Sequence, residues 1–274
     1  MTAVPRGRLI VVGTGPGAPE WMSPEVTALV AEATDLVGYM TYVDLLCDIL
    51  GPAAAGKTRH TSDNREELDR VRFALDLAAQ GRTVALVSSG DPGVFGMAAA
   101  VFEILDRDPQ PAWRDVDVTI APGISAMFAA AARAGAPLGH DFCVISLSDN
   151  LKPWEVVEAR IAAAARADFV IVFYNPASTQ RQWQVDRAKA LLLEHRAPST
   201  PVVLARNVGR DGEGVRVTTL EALNAADADM RTLVIVGSSQ TRTVLRAHSR
   251  AGEGPWVYTP RHYPEDRATG EARS

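Results

Sequence analysis

The sequence predicts an α/β protein. Short apolar runs alternate with helical patterns from end to end, and most of the runs are continuous, as in strands covered on both faces. Several runs also stop abruptly at loops rich in glycine and proline, the way strands of an open sheet hand over to helices.

Taken in order, RLIVV (8–12) is the first predicted strand. Ser23 followed by Pro24 marks a helix start, a cap and a first-position proline. DLVGY (35–39) is the second strand. Asn64 with Glu67 three residues on has the form of a capping box, and Gly81 closes that helix. TVALV (83–87) and DVTIA (117–121) complete the first half. FCVISL (142–147), DFVIVFY (168–174), PVVLA (201–205), GVRVT (214–218) and TLVIV (232–236) follow in the second. The break APGISAM (121–127) divides the chain. An N-terminal αβ domain over 1–120 and a C-terminal one over 121–245 are expected, then a polar tail over 246–274, partly disordered and most so in its last ten residues.

The 274 residues can bury a real core. A net charge of -5 argues against nucleic acid, which asks for a basic face. Of the 28 basic residues only Lys57, Lys152 and Lys189 are lysine. Arginine suits carboxylate or phosphate better, although genome composition produces the same bias. Cys47 and Cys143 have no ligand spacing and read as buried small hydrophobes in a reducing compartment. The N-terminal residues run straight into a strand without a signal-peptide pattern, and no apolar stretch of about 18 residues follows, so a cytoplasmic protein with no membrane partner is expected.

The first strand ends in GTGPGAPE, where Gly13, Gly15 and Ala18 satisfy the dinucleotide-binding pattern. That reading fails twice. Pro16 removes a main-chain N–H that a pyrophosphate would use, and Asp35 precedes the second strand instead of ending it, out of reach of a ribose. The five histidines are scattered, so no metal is expected. Neither a serine-hydrolase elbow nor a P-loop is present. What stands out is a set of three loops, GTGPG, SSGDPG and APGISA, each following a strand. Loops at the carboxyl ends of such strands form a binding crevice, here one that satisfies polar atoms with main-chain groups.

VGTGPGAPEWMSPEV, SSGDPGVFGMA, APGISAMFAAAARAGAPLGHDF and VVLARN together resemble the S-adenosylmethionine-dependent tetrapyrrole methylases. Within that family, LVGYMTYVDLL, GAPLGHDFCVISLSDNLKPWEVVEARIAAAARADFVIVFYNPAS and DMRTLVIVGSSQTR are similar to the branch that methylates carbon 17 of precorrin-3B in cobalamin biosynthesis, contracting the ring to precorrin-4. The resemblance implies two αβα domains with the cofactor in a cleft between them, and a homodimer. It implies S-adenosylmethionine as cofactor, S-adenosylhomocysteine as product and a tetrapyrrole polycarboxylate as substrate. By the same likeness Pro16, Gly90, Asp91, Val94, Ser125, Ala126, Asn175 and Asn207 line the cofactor site. Asp91 reads either as the one anion beside a sulfonium or as a turn-forming aspartate.

A polycarboxylate substrate asks for local cations, and Lys57, Arg59, Arg65, Arg181, Arg206 and Arg210 are the candidates, Arg59 and Arg206 foremost. Tyr39 and Tyr42 either meet the macrocycle or pack in the core. His140 with Asp141 is the candidate acid–base pair for ring contraction, or else a hydrogen-bonded histidine in a turn; Ser88 and Ser89 are further possible donors. The competing expectations are a sister precorrin or uroporphyrinogen methyltransferase, a methylase of protein or ribosomal RNA with the same fold, and a non-catalytic S-adenosylmethionine-binding protein. An RNA substrate would favour a basic rim, which this composition lacks.

Overall fold

The computed structural model describes residues 6–63, 66–177, 182–246 and 254–263. The chain divides into two compact units, Met1–Ala129 and Ala130–Ser274.

In the first unit β1 (Arg8–Gly13), β2 (Asp35–Tyr39), β3 (Thr58–Ser62), β4 (Thr83–Ser88) and β5 (Asp117–Ala121) form one parallel sheet in the order β3-β2-β4-β1-β5. Val11 lies opposite Leu86 on one side and Ile120 on the other. The period-two alternation of a strand then decides what each face buries. Ile10, Val12, Leu36 and Val87 pack against α1 (Pro24–Glu32) and α2 (Met40–Leu50). Leu9, Val11, Val84 and Leu86 pack against α3 (Glu67–Ala79) and α4 (Met97–Arg107). Both faces are covered, which is why these strands are continuous apolar runs in the sequence.

The local signals act as expected where they are described. Ser23 Oγ accepts from Val26 N at 3.1 Å and Pro24 opens α1. Gly81 follows α3 with φ +86°, its N–H bonded to Ala78 O at 2.9 Å. Asn64, the proposed cap of that helix, lies outside the described residues. Strand β3 (TRHTS) carries no apolar run and was not legible, because an edge strand leaves most of its side chains to solvent.

Helix α5 (Ala126–Ala134) spans the division between the units. The second unit contains β6 (Gly135–Ala136), β7 (Phe142–Ser146), β8 (Val170–Tyr174), β9 (Pro201–Arg206), β10 (Gly214–Thr219), β11 (Thr232–Val236), β12 (Arg242–Val244) and β13 (Trp256–Tyr258). Its main sheet has the order β10-β9-β11-β8-β7, with β7 and β8 parallel and the remaining neighbours antiparallel. Helices α6 (Trp154–Arg166) and α7 (Gln184–Leu193) bury Val157, Ile161, Val185 and Leu192 with Phe173, Leu204 and Val234. A small sheet, β12-β13-β6, takes in part of the expected polar tail, since Val257 pairs with Gly135 and Tyr258 with Ala136. Residues 264–274 lie outside the described residues.

Strand β8 begins two residues later than the apolar run, because Asp168 takes a left-handed φ of +59°. Its carboxylate pairs with the buried Arg196 at 2.6 Å and accepts from Ser239 N, Ser239 Oγ and Tyr263 Oη. Burial alone would raise the Asp168 carboxyl; the Ser239 and Tyr263 bonds and the Arg196 charge outweigh it and hold it below the ordinary carboxylate value.

Candidate functional site

Strands β1 and β4 are neighbours in the first sheet, and the chain leaves them toward opposite faces, for α1 after β1 and α4 after β4. The crevice at such a switch point is where open α/β sheets bind ligands. Three loops meet there. Gly15 N donates to Gly90 O at 3.2 Å and Gly90 N to Gly15 O at 2.8 Å, a short antiparallel ladder between the first two. The third loop approaches closer still. A Cβ on Gly123 would stand 2.2 Å from Gly90 O and 2.6 Å from Gly13 O. Both are main-chain atoms, so no side chain can turn aside to make room. Gly90 has φ +67°, the left-handed region.

The Asp91 side chain fastens two of these loops. Its Oδ1 accepts from Gly93 N at 2.8 Å and its Oδ2 from Gly123 N at 3.1 Å. The turn-forming reading of Asp91 is therefore realised, and each oxygen keeps a lone pair for another donor. Val94 N bonds Asp91 O at 3.2 Å. Phe95 takes φ +52° with its ring 55 % exposed, a strained arrangement for a bulky residue. Residues 13–18, 88–96 and 121–126 contain one carboxylate and no lysine, arginine or histidine. Such a lining suits a ligand carrying positive charge and offers a phosphate no side-chain cation.

Six cofactor candidates, Pro16, Gly90, Asp91, Val94, Ser125 and Ala126, fall in these loops. Ala126 opens α5, and the Ser125 carbonyl accepts from Phe128 N and Ala129 N. Ser88, a catalytic candidate, is 3 % exposed and braces the loops. Its carbonyl accepts from Thr14 N and Thr14 Oγ1, and its Oγ accepts from Met97 N at the start of α4.

In the second unit β7, β8 and β9 run in one direction, so Ser146, Asn175 and Asn207 share the carboxyl edge of that sheet. Asn175 and Asn207 both adopt left-handed φ, +52° and +51°, which asparagine tolerates better than most side chains. Asn175 Nδ2 donates to Ser146 Oγ at 3.0 Å, while Asn207 N donates to Arg231 O and Asn207 Nδ2 to Asp211 O. Arg206 precedes Asn207 and is engaged with Asp229 Oδ2 at 2.9 Å. Burial works against the charged Asp229, but Thr232 and Arg206 together hold its carboxyl below the ordinary value.

His140 and Asp141 lie at the other edge. Asp141 O accepts from Val170 N at the start of β8. The His140 ring packs edge-on against Tyr263 with centroids 5.2 Å apart, and its Nδ1 is 3.8 Å from Asp141 Oδ2. A strand of this length separates the pair from Ser146 and Asn175 by roughly 16 Å. The structure therefore does not bring His140 and Asp141 together with the asparagines.

Tyr39 ends β2 and Tyr42 lies in the first turn of α2, their rings T-shaped at 5.2 Å. Tyr42 also packs against the core under α1 and α2. Arg59 is exposed on β3. Lys57 serves the fold, donating to Ala31 O and Ala33 O at the carboxyl end of α1. Arg65 and Arg181 lie outside the described residues. Asp35 is wholly buried at the start of β2, bound by Thr34, His60 and Arg82, so it serves no ribose. Sequence reasoning missed Gly123 and Ser146 and the approach of Gly123 to Gly13; both glycines stood inside the quoted loops, but their mutual approach is a tertiary fact. Among the described residues no group of three or more side chains could hold a metal ion, and no helix is long and apolar enough to cross a membrane.

Residues 8–224 match the family model of the tetrapyrrole (corrin/porphyrin) methylases. The chain is 51% identical over 257 residues to a precorrin-3B C(17)-methyltransferase from Sinorhizobium sp., covering 94% of this chain and 97% of that protein. It is 50% identical over 274 residues to the cobalamin biosynthesis protein CobIJ of Mycobacterium tuberculosis, covering 98% of this chain and 51% of that protein, so the chain spans about half the length of that relative. The crystal structure of the methyltransferase CobJ is 49% identical and superposes with a TM-score of 0.84, over 93% of this chain and all of that one. With a family match over residues 8–224 and a fold and sequence that agree with that structure over most of its length, this chain belongs to the tetrapyrrole methylases.

Proposed function

We propose that this chain is an S-adenosylmethionine-dependent methyltransferase that methylates precorrin-3B at carbon 17 and contracts the ring to precorrin-4. The observation that carries the cofactor half is the loop cluster at the β1–β4 switch point, lined by main chain and one carboxylate and bare of cationic side chains. The substrate half is supported by the near full-length likeness to the Sinorhizobium enzyme of that name.

S-adenosylmethionine, when bound, supplies an electrophilic methyl group on a sulfonium. Gly90, Asp91, Ser125 and Ala126 are proposed to hold it. The Asp91 carboxylate places negative charge beside the sulfonium and fixes the Gly90–Gly93 turn against Gly123. Methyl transfer to carbon is an in-line displacement, so the protein's main tasks are alignment and exclusion of water. Tyr39 and Tyr42, at the carboxyl edge of the first sheet, present ring edges and hydroxyls suited to a flat macrocycle.

Incubation of the purified chain with S-adenosylmethionine and precorrin-3B tests the proposal. A product heavier by one methyl substitution, with the chromophore of a contracted ring, is expected. Methylation with the ring intact would identify a sister enzyme. No transfer to any precorrin, with S-adenosylhomocysteine still bound, would identify a binding protein.

A further inference from the structure

The described residues include two buried arginines on α3 and beside β8 whose surroundings differ in one respect. Arg196 is neutralised: it pairs with Asp168 and donates to Ala165 O and Phe169 O. Arg70, on α3, is 5 % exposed and has neutral partners only. Its Nε donates to Ser62 Oγ at 2.9 Å, one Nη to Asp63 O at 2.5 Å, and the other meets the thioether of Met97 at 3.7 Å. Asp63, Glu66 and Glu67 act on it through space, yet none forms an ion pair with it. Burial pushes its guanidinium below the ordinary arginine value, the response of a charge that lacks a counter-ion.

Burying an uncompensated charge is costly, and folds seldom tolerate it without a use. The position identifies the use. Ser62 ends β3 and Met97 opens α4 directly after the Asp91 loop, so Arg70 lies at the carboxyl edge of the first sheet, as Tyr39 does at the end of β2. Arg196 contacts Asp168, at the amino edge of its own sheet, where no ligand is proposed. A sulfur is a weak acceptor, so the Nη facing Met97 is poorly satisfied. Methionine has three rotatable bonds and leaves such a position easily.

We infer that Arg70 is the receptor for a carboxylate of the tetrapyrrole, which replaces the Met97 thioether at Nη1 and supplies the anion that the guanidinium lacks in the free protein. This rests on the proposed tetrapyrrole substrate, and it assigns one arginine outside the cationic candidates read from the sequence. A bidentate or single charge-assisted bond of this kind fixes the orientation of the macrocycle as well as its affinity.

The test uses the full chain with Arg70→Met and Arg70→Lys, and two probes, the octacarboxylate uroporphyrin and its neutral octamethyl ester, followed by tryptophan fluorescence. Arg70→Met is expected to weaken uroporphyrin binding about tenfold or more, to leave the ester unchanged, and to leave S-adenosylhomocysteine affinity unchanged by calorimetry. Arg70→Lys is expected to recover much of the loss. Equal uroporphyrin affinity in Arg70→Met and the parent overturns the inference. Should Arg70→Met not fold, the parent's Arg70 Nε–H resonance, assigned by its loss in Arg70→Lys, is expected to shift with uroporphyrin and not with the ester; a resonance that does not move overturns the inference equally. A parent chain that binds neither porphyrin, while binding S-adenosylhomocysteine, would instead remove the tetrapyrrole reading itself.

Discussion

Gly123 N donates to Asp91 Oδ2 at 3.1 Å, and that one bond joins the loop after β5 to the loop after β4. It gives Asp91 a structural task, separable from the electrostatic one that the proposed function assigns to its charge.

Asp91→Asn separates them. The amide keeps one acceptor and the shape but loses the charge. S-adenosylmethionine is a sulfonium cation at its reacting centre and S-adenosylhomocysteine a neutral thioether there. Calorimetry of the variant is expected to show about tenfold weaker binding of the methionine form and a smaller loss for the homocysteine form. Equal losses for both would assign Asp91 to loop structure alone.

Gly123→Ala tests the convergence of the loops. The added methyl would lie 2.2 Å from Gly90 O and 2.6 Å from Gly13 O, so one loop must move. Overpacking of this kind costs about 1–3 kcal/mol. A lower melting temperature is expected together with loss of S-adenosylhomocysteine binding. Unchanged affinity would show that the approach of these loops is irrelevant to the site.

Much of this was legible in the sequence, for identifiable reasons. Strands β2 and β5 coincide with the runs 35–39 and 117–121: β2 is buried along most of its length, and the edge strand β5 packs Val118 and Ile120 against the core. The three loops were legible because the break from apolar run to glycine and proline is local. Strand β3 was not, since an edge strand can be polar, nor were β12 and β13, three-residue strands held by long-range pairing. Site residues divide the same way. Loop candidates could be read from motifs, whereas the engagement of Arg206 with Asp229, of Lys57 with α1, and the burial of Arg70 are settled by packing that no spacing encodes.

Asp35 makes stability depend on acid. Burial raises its carboxyl, but hydrogen bonds from Thr34, Arg82 and His60 and the Arg82 charge outweigh burial and leave the folded value below the ordinary 3.8. A depressed folded value means that the stabilisation is fully present above the unfolded carboxyl's range and is lost as pH falls through the folded one. Asp35→Asn is expected to lower the melting temperature at pH 7, by about 1–3 kcal/mol of stability, with the gap to the parent closing as pH falls through the depressed folded value. A gap that stays constant until the parent unfolds in acid would contradict this account.

Gln184 carries a cost of its own. It is 1 % exposed on α7, and neither Nε2 nor Oε1 has a hydrogen-bond partner among the described residues. An unmet buried amide costs about 1–3 kcal/mol, so Gln184→Leu, close in volume, is expected to raise the melting temperature by a few degrees. A lower melting temperature would show that the amide is satisfied in solution.

The most direct measurement is a crystal structure of this chain with S-adenosylhomocysteine. The nucleoside is expected to contact the main chain of Gly90, Ser125 and Ala126, with its sulfur on the side of Asp91. Density for the molecule at the amino edge of either sheet, or away from all three glycine loops, would contradict this account.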